Sequence, residues 1–173
     1  MKTQKEQYTM VAPLLIFFSA LVIPMYTGNI KDYDFFILIV IADVFNYVLK
    51  HYVFQPIMGD KSYPILGQGK RPEGAKGTGI FASEVPTTTY GMPSGHAQSV
   101  ALFTTYLITN RIMKSNDTPL VKIIYSLMLI AFTFYVMYGR VALTKAHTIQ
   151  QVIMGALTGF MVVLIYNKLS NRK

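Results

Sequence analysis

Five long apolar runs restrict what this chain can fold into. They cover approximately residues 10–26, 35–54, 96–113, 120–138 and 148–166. Each approaches the roughly 20 residues that an α-helix needs to cross a bilayer. A soluble bundle would show polar outer faces, which runs such as FFILIVIA and SLMLIAFTFYVMY lack. The sequence therefore predicts an all-α fold, a polytopic membrane helical bundle with about five transmembrane helices.

The composition agrees with a membrane environment. Of the 173 residues, 52% are hydrophobic and only 14% are charged, whereas soluble domains carry about 25% charged residues. We expect a single domain over residues 1–173, with one long loop at about 55–93 that is functional or disordered. The first run follows Lys2 and Lys5 as in a signal peptide, but the later runs favour a retained anchor.

The net charge of +8 narrows the choice of partners. It suits phosphate in a site or acidic lipid headgroups at a surface. The basic residues lie between the apolar runs and form no stripe, which argues against nucleic acid. The absence of cysteine excludes disulfides, thiolate metal sites and a cysteine nucleophile. The sequence leaves the oligomeric state open.

Two of the three histidines, His96 and His147, stand at the predicted N-terminal ends of apolar helices. Such ends present free backbone N–H groups and a positive dipole, which favour phosphate. The neighbouring segments GQGKRP, YGMPSGHAQ and GRVALTKAHTIQQV add cations and hydrogen-bond donors, namely Lys70, Arg71, Ser94, Gly95 and Arg140. Arginine and lysine bind phosphoryl oxygens, and two imidazoles can act as nucleophile and acid. The pattern predicts a phosphoryl-transfer site.

These segments resemble the type 2 phosphatidic acid phosphatase (PAP2) superfamily, whose pattern is K-x6-RP, PSGH and SR-x5-H-x3-D. They are most similar to its dolichyl diphosphatase branch. The matching pieces are NYVLK with Asn46 and Lys50, Arg71 with Pro72, YGMPSGHAQ, and Arg140 followed by HTIQQVIMG. The resemblance covers residues 46–159, and this combination is far more specific than one short motif.

The resemblance implies a helical bundle with its site at one membrane face and with no metal or other cofactor. His147 would attack phosphorus to give a phosphohistidine, and His96 would protonate the leaving group. The phosphate would be held by Lys50, Arg71, Ser94, Gly95 and Arg140. The implied substrate is a polyprenyl or dolichyl pyrophosphate, or a related lipid phosphate.

The site lysine departs from the family pattern. Pro64 stands seven residues before Arg71, where the motif lysine is expected. Lys50 matches instead by its helix context, which implies an inserted stretch at 56–69 that loops out. Lys61 and Lys70 are rivals for the role, although Lys70 adjoins Arg71, and neighbouring side chains in extended backbone point apart.

The last motif departs in two ways. Six residues separate Arg140 from His147 where the family has five, so this segment must bulge or the arginine must reach differently. Gln151 replaces the terminal aspartate, as in the dolichyl diphosphatase branch. Its spacing from Thr148 suits a capping box, and a hydrogen bond that orients His147 is an equal expectation. Both could coexist through different atoms.

Simpler interpretations exist for single residues. Each cation alone could be an interfacial residue that binds headgroups, as we expect for His51, and the joint pattern favours a site. Asp43 shares a helical face with Asn46 and Lys50, so it could pair with a site cation. Gly155 and Gly159 form GxxxG, which is more typical of helix packing than of chemistry.

Several functions compete. The leading hypothesis is a lipid pyrophosphate phosphatase, and the nearest enzyme alternative is a phosphatidate or other lipid monophosphate phosphatase. A lipid-binding pseudophosphatase or membrane scaffold is the non-enzyme alternative, and the complete histidine pair argues against it. A haloperoxidase shares the anion site of the superfamily but is soluble.

The two motif-bearing connections, second and fourth along the chain, fall on the same side of the membrane as the N-terminus. Outside the motif loops, that side keeps Lys2 and Lys5. The opposite side carries Lys31, Arg111, Lys114, Lys168, Arg172 and Lys173. The positive-inside rule then predicts a site on the lumenal or periplasmic face.

Overall fold

A computed structural model describes residues 4–28, 32–75 and 89–170. The helices are α1 (Gln4–Thr27), α2 (Tyr33–Val48), α3 (Gln55–Met58), α4 (Gly95–Leu107), α5 (Pro119–Tyr138) and α6 (Ile149–Ser170). One short antiparallel hairpin pairs β1 (Ser62–Tyr63) with β2 (Gly67–Gln68). The all-α fold expected from the sequence is confirmed.

Within the described ranges, four helical stretches are long and apolar enough to cross a membrane: Tyr8–Thr27, Tyr33–Met58, Pro119–Leu143 and Ile149–Ser170. They match four of the five expected spans. Most of their large apolar side chains are exposed, as lipid-facing residues would be. The first continues as one helix past Pro13 and Pro24, although both lack an N–H.

The fifth expected span, α4, is the centre of the bundle, and α1, α2, α5 and α6 all pack against it. Because protein surrounds α4, it tolerates polar residues such as Gln98 and Thr104. With 13 residues, α4 is also shorter than the four other spans. Its closest neighbour is α6. A Cβ on Gly155 or Gly159 would lie 2.3 or 2.2 Å from the carbonyl oxygens of Ser94 and Gln98, which confirms the packing role of GxxxG.

Three helices end in π-helical turns, at Leu49–Phe54, Ile108–Ile112 and Gly139–Leu143. The third absorbs the extra residue between Arg140 and His147. The Thr144 N–H donates to Gly139 O at 2.9 Å, and Lys145 then turns the chain with a left-handed φ of 47°. The Ala146 and His147 N–H groups both donate to Arg140 O, at 3.0 and 3.2 Å. The expected bulge is therefore a π-turn.

The stretch after α2 is more ordered than the expected loop, since it continues the helix to Met58 and then forms the hairpin. Tyr63 joins the hairpin to α3, and Tyr90 bonds the residue that follows α3. The Tyr63 hydroxyl donates to Ile57 O at 3.2 Å, and the Tyr90 hydroxyl to Gly59 O at 3.1 Å. Gly69 is needed here because a Cβ would lie 1.8 Å from the Tyr90 oxygen. Residues 76–88 of the expected loop lie outside the described part.

Candidate active site

His147 lies between α5 and α6, and its imidazole is held at both nitrogens. Arg71 Nη1 lies 3.1 Å from His147 Nε2, and His147 Nδ1 lies 3.0 Å from Gln151 Oε1. Because a guanidinium only donates, Nε2 must accept, and Nδ1 carries the proton that it donates to Gln151. The basic nitrogen of His147 therefore faces Arg71.

The surroundings of His147 keep it neutral. The side chain is 3% exposed. Burial, reinforced by the positive charges of Arg71 and Arg140, lowers the pKa of His147 to about 2. A neutral imidazole with an available lone pair is the form in which histidine acts as a nucleophile.

Gln151 is fully buried and uses both ends of its amide. Its Oε1 accepts from the Thr148 N–H, while its own N–H donates to Thr148 Oγ1, both at 3.3 Å, which completes a capping box. Its Nε2 donates to the carbonyls of Gln68 and Lys70 at 2.9 and 2.6 Å. Capping and contact with His147 therefore coexist, but through the same oxygen. The Nε2 bonds join α6 to the segment before Arg71.

Ser94 and Gly95 begin α4 at the site. Ser94 is the N-cap, and its Oγ accepts from the Ala97 N–H at 3.5 Å. The Ser94 N–H donates to Gln151 O at 3.0 Å, which joins the starts of α4 and α6. The first N–H groups of a helix have no intrahelical acceptor. The Gly95 N–H is thus placed to bind an anion.

His96 lies one residue further into α4, and its Nε2 is 3.1 Å from the carbonyl oxygen of Met10 in α1. A carbonyl only accepts, so Nε2 carries a proton and Nδ1 is the nitrogen left for a substrate. The contact also places the start of α1 at the site end of the bundle, as the expected topology requires. Sequence reasoning missed Met10, because a backbone carbonyl leaves no signal in side-chain identity.

Three cations, Lys50, Arg71 and Arg140, lie within electrostatic range of both histidines. Arg71 is fixed by bonds from Nε to Thr89 O at 3.1 Å and from Nη1 to Ala146 O at 3.2 Å. Arg140 is completely buried. The three cations near the histidines come from three separate parts of the chain.

The rival lysines occupy other positions. Lys70 Nζ lies 2.6 Å from Asp60 Oδ1, with 60% of the Lys70 side chain exposed. Lys61 is exposed, whereas Lys50 is half-buried. Lys70 and Lys61 therefore point to solvent at the hairpin, while Lys50 approaches the histidines.

A buried amide pair sets the end of α2 against α4. Asn46 Nδ2 donates to Gln98 Oε1 at 2.8 Å, and Gln98 Nε2 donates to Ala42 O at 2.6 Å. Lys50 lies one turn beyond Asn46, so this pair fixes its approach. Sequence reasoning assigned no role to Gln98, although a polar residue inside an apolar run was a usable signal. Asp43 interacts electrostatically with Lys50.

His51 is separate from this cluster. His51 Nδ1 lies 3.0 Å from Gln55 Oε1 on the exposed surface of the π-turn after α2. In the described ranges, no three His, Cys, Asp or Glu side chains are grouped so that they could hold a metal ion.

The family model for the PAP2 superfamily matches residues 33–173, and the chain belongs to this superfamily. A lipid phosphate phosphatase epsilon 1, chloroplastic, of Arabidopsis thaliana is 32% identical over 96 residues, which cover 53% of this chain and 34% of that protein. Dolichyldiphosphatase 1 of Rhinolophus ferrumequinum is 23% identical over 166 residues, which cover 92% of this chain and 61% of that protein. The chain thus spans about a third and about three fifths of these relatives. No solved structure matches the chain.

Proposed function

We propose that this protein is an integral membrane lipid phosphatase that hydrolyses a polyprenyl pyrophosphate or related lipid phosphate through a phosphohistidine on His147. The observation that carries the proposal is the array of Arg71, His147 and Gln151. It holds a neutral imidazole in one tautomer, with its lone pair directed at a cation.

Substrate binding would replace one contact. Arg71 donates to His147 Nε2 in the free protein. An incoming phosphate would accept from Arg71 instead, together with Lys50, Arg140, the Ser94 hydroxyl and the Gly95 N–H. This exchange releases the Nε2 lone pair at the moment when phosphorus arrives beside it.

The chemistry then has two steps. His96 first takes a second proton from solvent at Nδ1, favoured by the negative charge of the bound phosphate. Nε2 of His147 then bonds to phosphorus, the bond from phosphorus to the leaving oxygen breaks, and the leaving oxygen takes the Nδ1 proton of His96. Water next gives a proton to His96 and attacks the phosphohistidine, which releases phosphate and restores both histidines. Gln151 accepts from Nδ1 of His147 throughout and stabilises the charge that develops on that ring.

Three converging cations suit the dense charge of a pyrophosphate, so we place a lipid pyrophosphate first among the substrates. The relative named dolichyldiphosphatase, which aligns with 92% of this chain, supports the same order. The relative named lipid phosphate phosphatase supports the second candidate, a phosphatidate or other lipid monophosphate. A pseudophosphatase would bind these lipids and release no phosphate.

Phosphate release by the purified protein in detergent tests the proposal. We expect turnover of a polyprenyl pyrophosphate, a lower rate with phosphatidate, and full activity in EDTA, because the proposed ligands are cations and hydrogen-bond donors. Loss of activity in chelator with recovery in Mg²⁺ would overturn the mechanism. Binding without release by the wild type would support the pseudophosphatase.

The histidine roles have a separate test. His147→Ala should abolish both turnover and the covalent phosphoenzyme, while His96→Ala should slow turnover by about 10²- to 10⁴-fold. His51→Ala is the matched control and should retain activity, since His51 hydrogen-bonds with Gln55 on the surface. A phosphoenzyme trapped at full yield in His147→Ala would contradict the assignment.

We also propose that the site faces the lumen or periplasm. Arg111, Lys114 and Lys168 lie at the ends of α4 and α6 that are distant from His96 and His147. Arg111 forms an ion pair with Asp32, which reduces the net charge there. Lys2, Lys31, Arg172 and Lys173 lie outside the described residues. The chain has no cysteine, so labelling of Ser170→Cys from outside sealed cells would contradict this orientation.

A further inference from the structure

A groove of about 270 Å³ runs between α5 and α6 below the proposed site. Its floor is α4, and both walls pack mainly on α4. The lining includes Ala101 of α4, Ile130 and Met137 of α5, and Ile153, Ala156 and Phe160 of α6. We propose that this groove binds the hydrocarbon chain of the lipid substrate, in the part adjacent to the phosphate. The inference rests on the proposed function, whose substrate it describes further.

The groove lies close to the site along the helices. Met137 comes three residues before Arg140, and Ile153 six residues after His147. At a rise of about 1.5 Å per residue, the groove begins about 5 Å below Arg140 and continues about 10 Å deeper, to Ile130 and Phe160. The segment that connects α5 to α6 bridges its upper end and carries both Arg140 and His147. A phosphate held there would place its chain in the groove.

The lining suits hydrocarbon because its central hydroxyl groups are already bonded within the protein. Thr104 Oγ1 donates to Leu129 O at 3.1 Å and lies 2.8 Å from Thr133 Oγ1. Apart from threonine, every lining residue is apolar. An alkyl or prenyl chain could therefore cover Thr104 and Thr133 without leaving either hydroxyl unbonded.

A second groove, of about 680 Å³, lies on the other side of α5, between residues from Tyr8 to Ser19 and the rings of Phe103 and Phe132. It is larger, but α1 packs closely on the end of α5 beside it. Thr9 packs against Gly139 so tightly that a Cβ on the glycine would lie 2.2 Å from Thr9 Cγ2. This contact leaves no space between Thr9 and the residue before Arg140, and volume alone does not decide between the two grooves.

Filling each groove tests the assignment. Ala156→Phe narrows the α5–α6 groove, and Ser19→Phe makes a comparable addition in the other. The probes are a long-chain polyprenyl pyrophosphate and the shortest water-soluble prenyl pyrophosphate. Ala156→Phe should raise KM for the long chain at least about tenfold, equivalent to losing contact with about two methylene groups. Hydrolysis of the short probe by Ala156→Phe should match the wild type.

Ser19→Phe should behave as the wild type with both probes. An unchanged long-chain KM in Ala156→Phe, or a rise confined to Ser19→Phe, would overturn the inference. Equal loss on both probes in Ala156→Phe would also overturn it, since the variant would then damage the site and not chain binding. If the wild type hydrolyses neither probe, the proposed function fails first, which is a distinct outcome.

A binding measurement avoids dependence on turnover. Because the chain has no cysteine, Ala156→Cys places one thiol in the groove for a membrane-permeable maleimide. A non-hydrolysable long-chain phosphonate should slow labelling, and its shortest analogue should not. Equal protection by both analogues, or none by either, would contradict chain binding in this groove.

Discussion

Replacing Gln151 with glutamate separates two roles that one amide performs. The substitution preserves size and keeps an oxygen that accepts from His147 Nδ1 and from the Thr148 N–H. It removes the Nε2 donor, which bonds the carbonyls of Gln68 and Lys70 at 2.9 and 2.6 Å. If Gln151 only orients His147, glutamate should serve as well, since a carboxylate is a stronger acceptor.

We expect glutamate to fail, because its second oxygen would face those two carbonyls in a fully buried position. Losing two buried hydrogen bonds costs about 1.5 kcal/mol each, or about 3 kcal/mol together. If those hydrogen bonds stabilise the position of Arg71 in the transition state, their loss decreases kcat/KM about 10²-fold. The measurements are kcat/KM on a lipid phosphate and hydrogen exchange of residues 61–70, which should increase.

Gln150→Glu is the matched control. It makes the same chemical change one residue earlier, where the side chain is exposed and lies beside the hairpin at Gly67. Gln150→Glu should have kcat/KM and hydrogen exchange of residues 61–70 close to those of the wild type. Activity of Gln151→Glu within about twofold of the wild type, with unchanged exchange, would refute the argument that Gln151 holds the Arg71 segment.

Three further predictions test other parts of the site. Lys50→Met should lower kcat/KM by about 10²-fold or more, because the transition state loses charge stabilisation. Lys70→Met, at the ion pair with Asp60, is the matched control and should change kcat/KM little. The reverse result would assign the role of site lysine to Lys70 in the hairpin. The pKa of His147 is lowered in the folded protein, so as the pH decreases the unfolded chain takes up a proton at His147 before the folded protein does. The free energy of unfolding should therefore decrease below about pH 6.5, by up to about 1.4 kcal/mol per pH unit. In His147→Asn, the melting temperature should decrease less steeply with decreasing pH than in the wild type. An equal dependence of melting temperature on pH in the two proteins would contradict the prediction. Gly159→Ala should destabilise the protein by about 1–3 kcal/mol, seen as a lower melting temperature in detergent, because the added methyl meets the α4 backbone; an unchanged melting temperature would argue against that close packing.

The spans were predictable because lipid contact selects long apolar runs. The expected run at 120–138 coincides with α5, and the run at 148–166 lies within one residue of the start of α6. The burial of α4 was the least expected feature. A helix enclosed by protein and a helix enclosed by lipid are both largely apolar, so the sequence did not distinguish α4 from a helix in contact with lipid.

The cations and histidines could be chosen from the sequence, because phosphate chemistry requires these side-chain types. Their supporting contacts could not. Gln151 bonds carbonyls at Gln68 and Lys70, more than 80 residues away along the chain, and His96 bonds the carbonyl of Met10. Backbone acceptors are the same in every residue, so no sequence pattern marks them.

The π-turn at Gly139–Leu143 bears on how proteins of this kind are recognised. It accommodates one more residue between Arg140 and His147 than the SR-x5-H pattern contains, while both side chains still lie at the same site. A search that demands a fixed count between arginine and histidine would reject this chain. The chemistry instead requires a fixed distance between the arginine and histidine side chains. One widened helical turn can maintain this distance with a different number of residues between them. Patterns that allow one extra residue wherever a helix ends at a site would therefore recover chains that rigid motifs exclude.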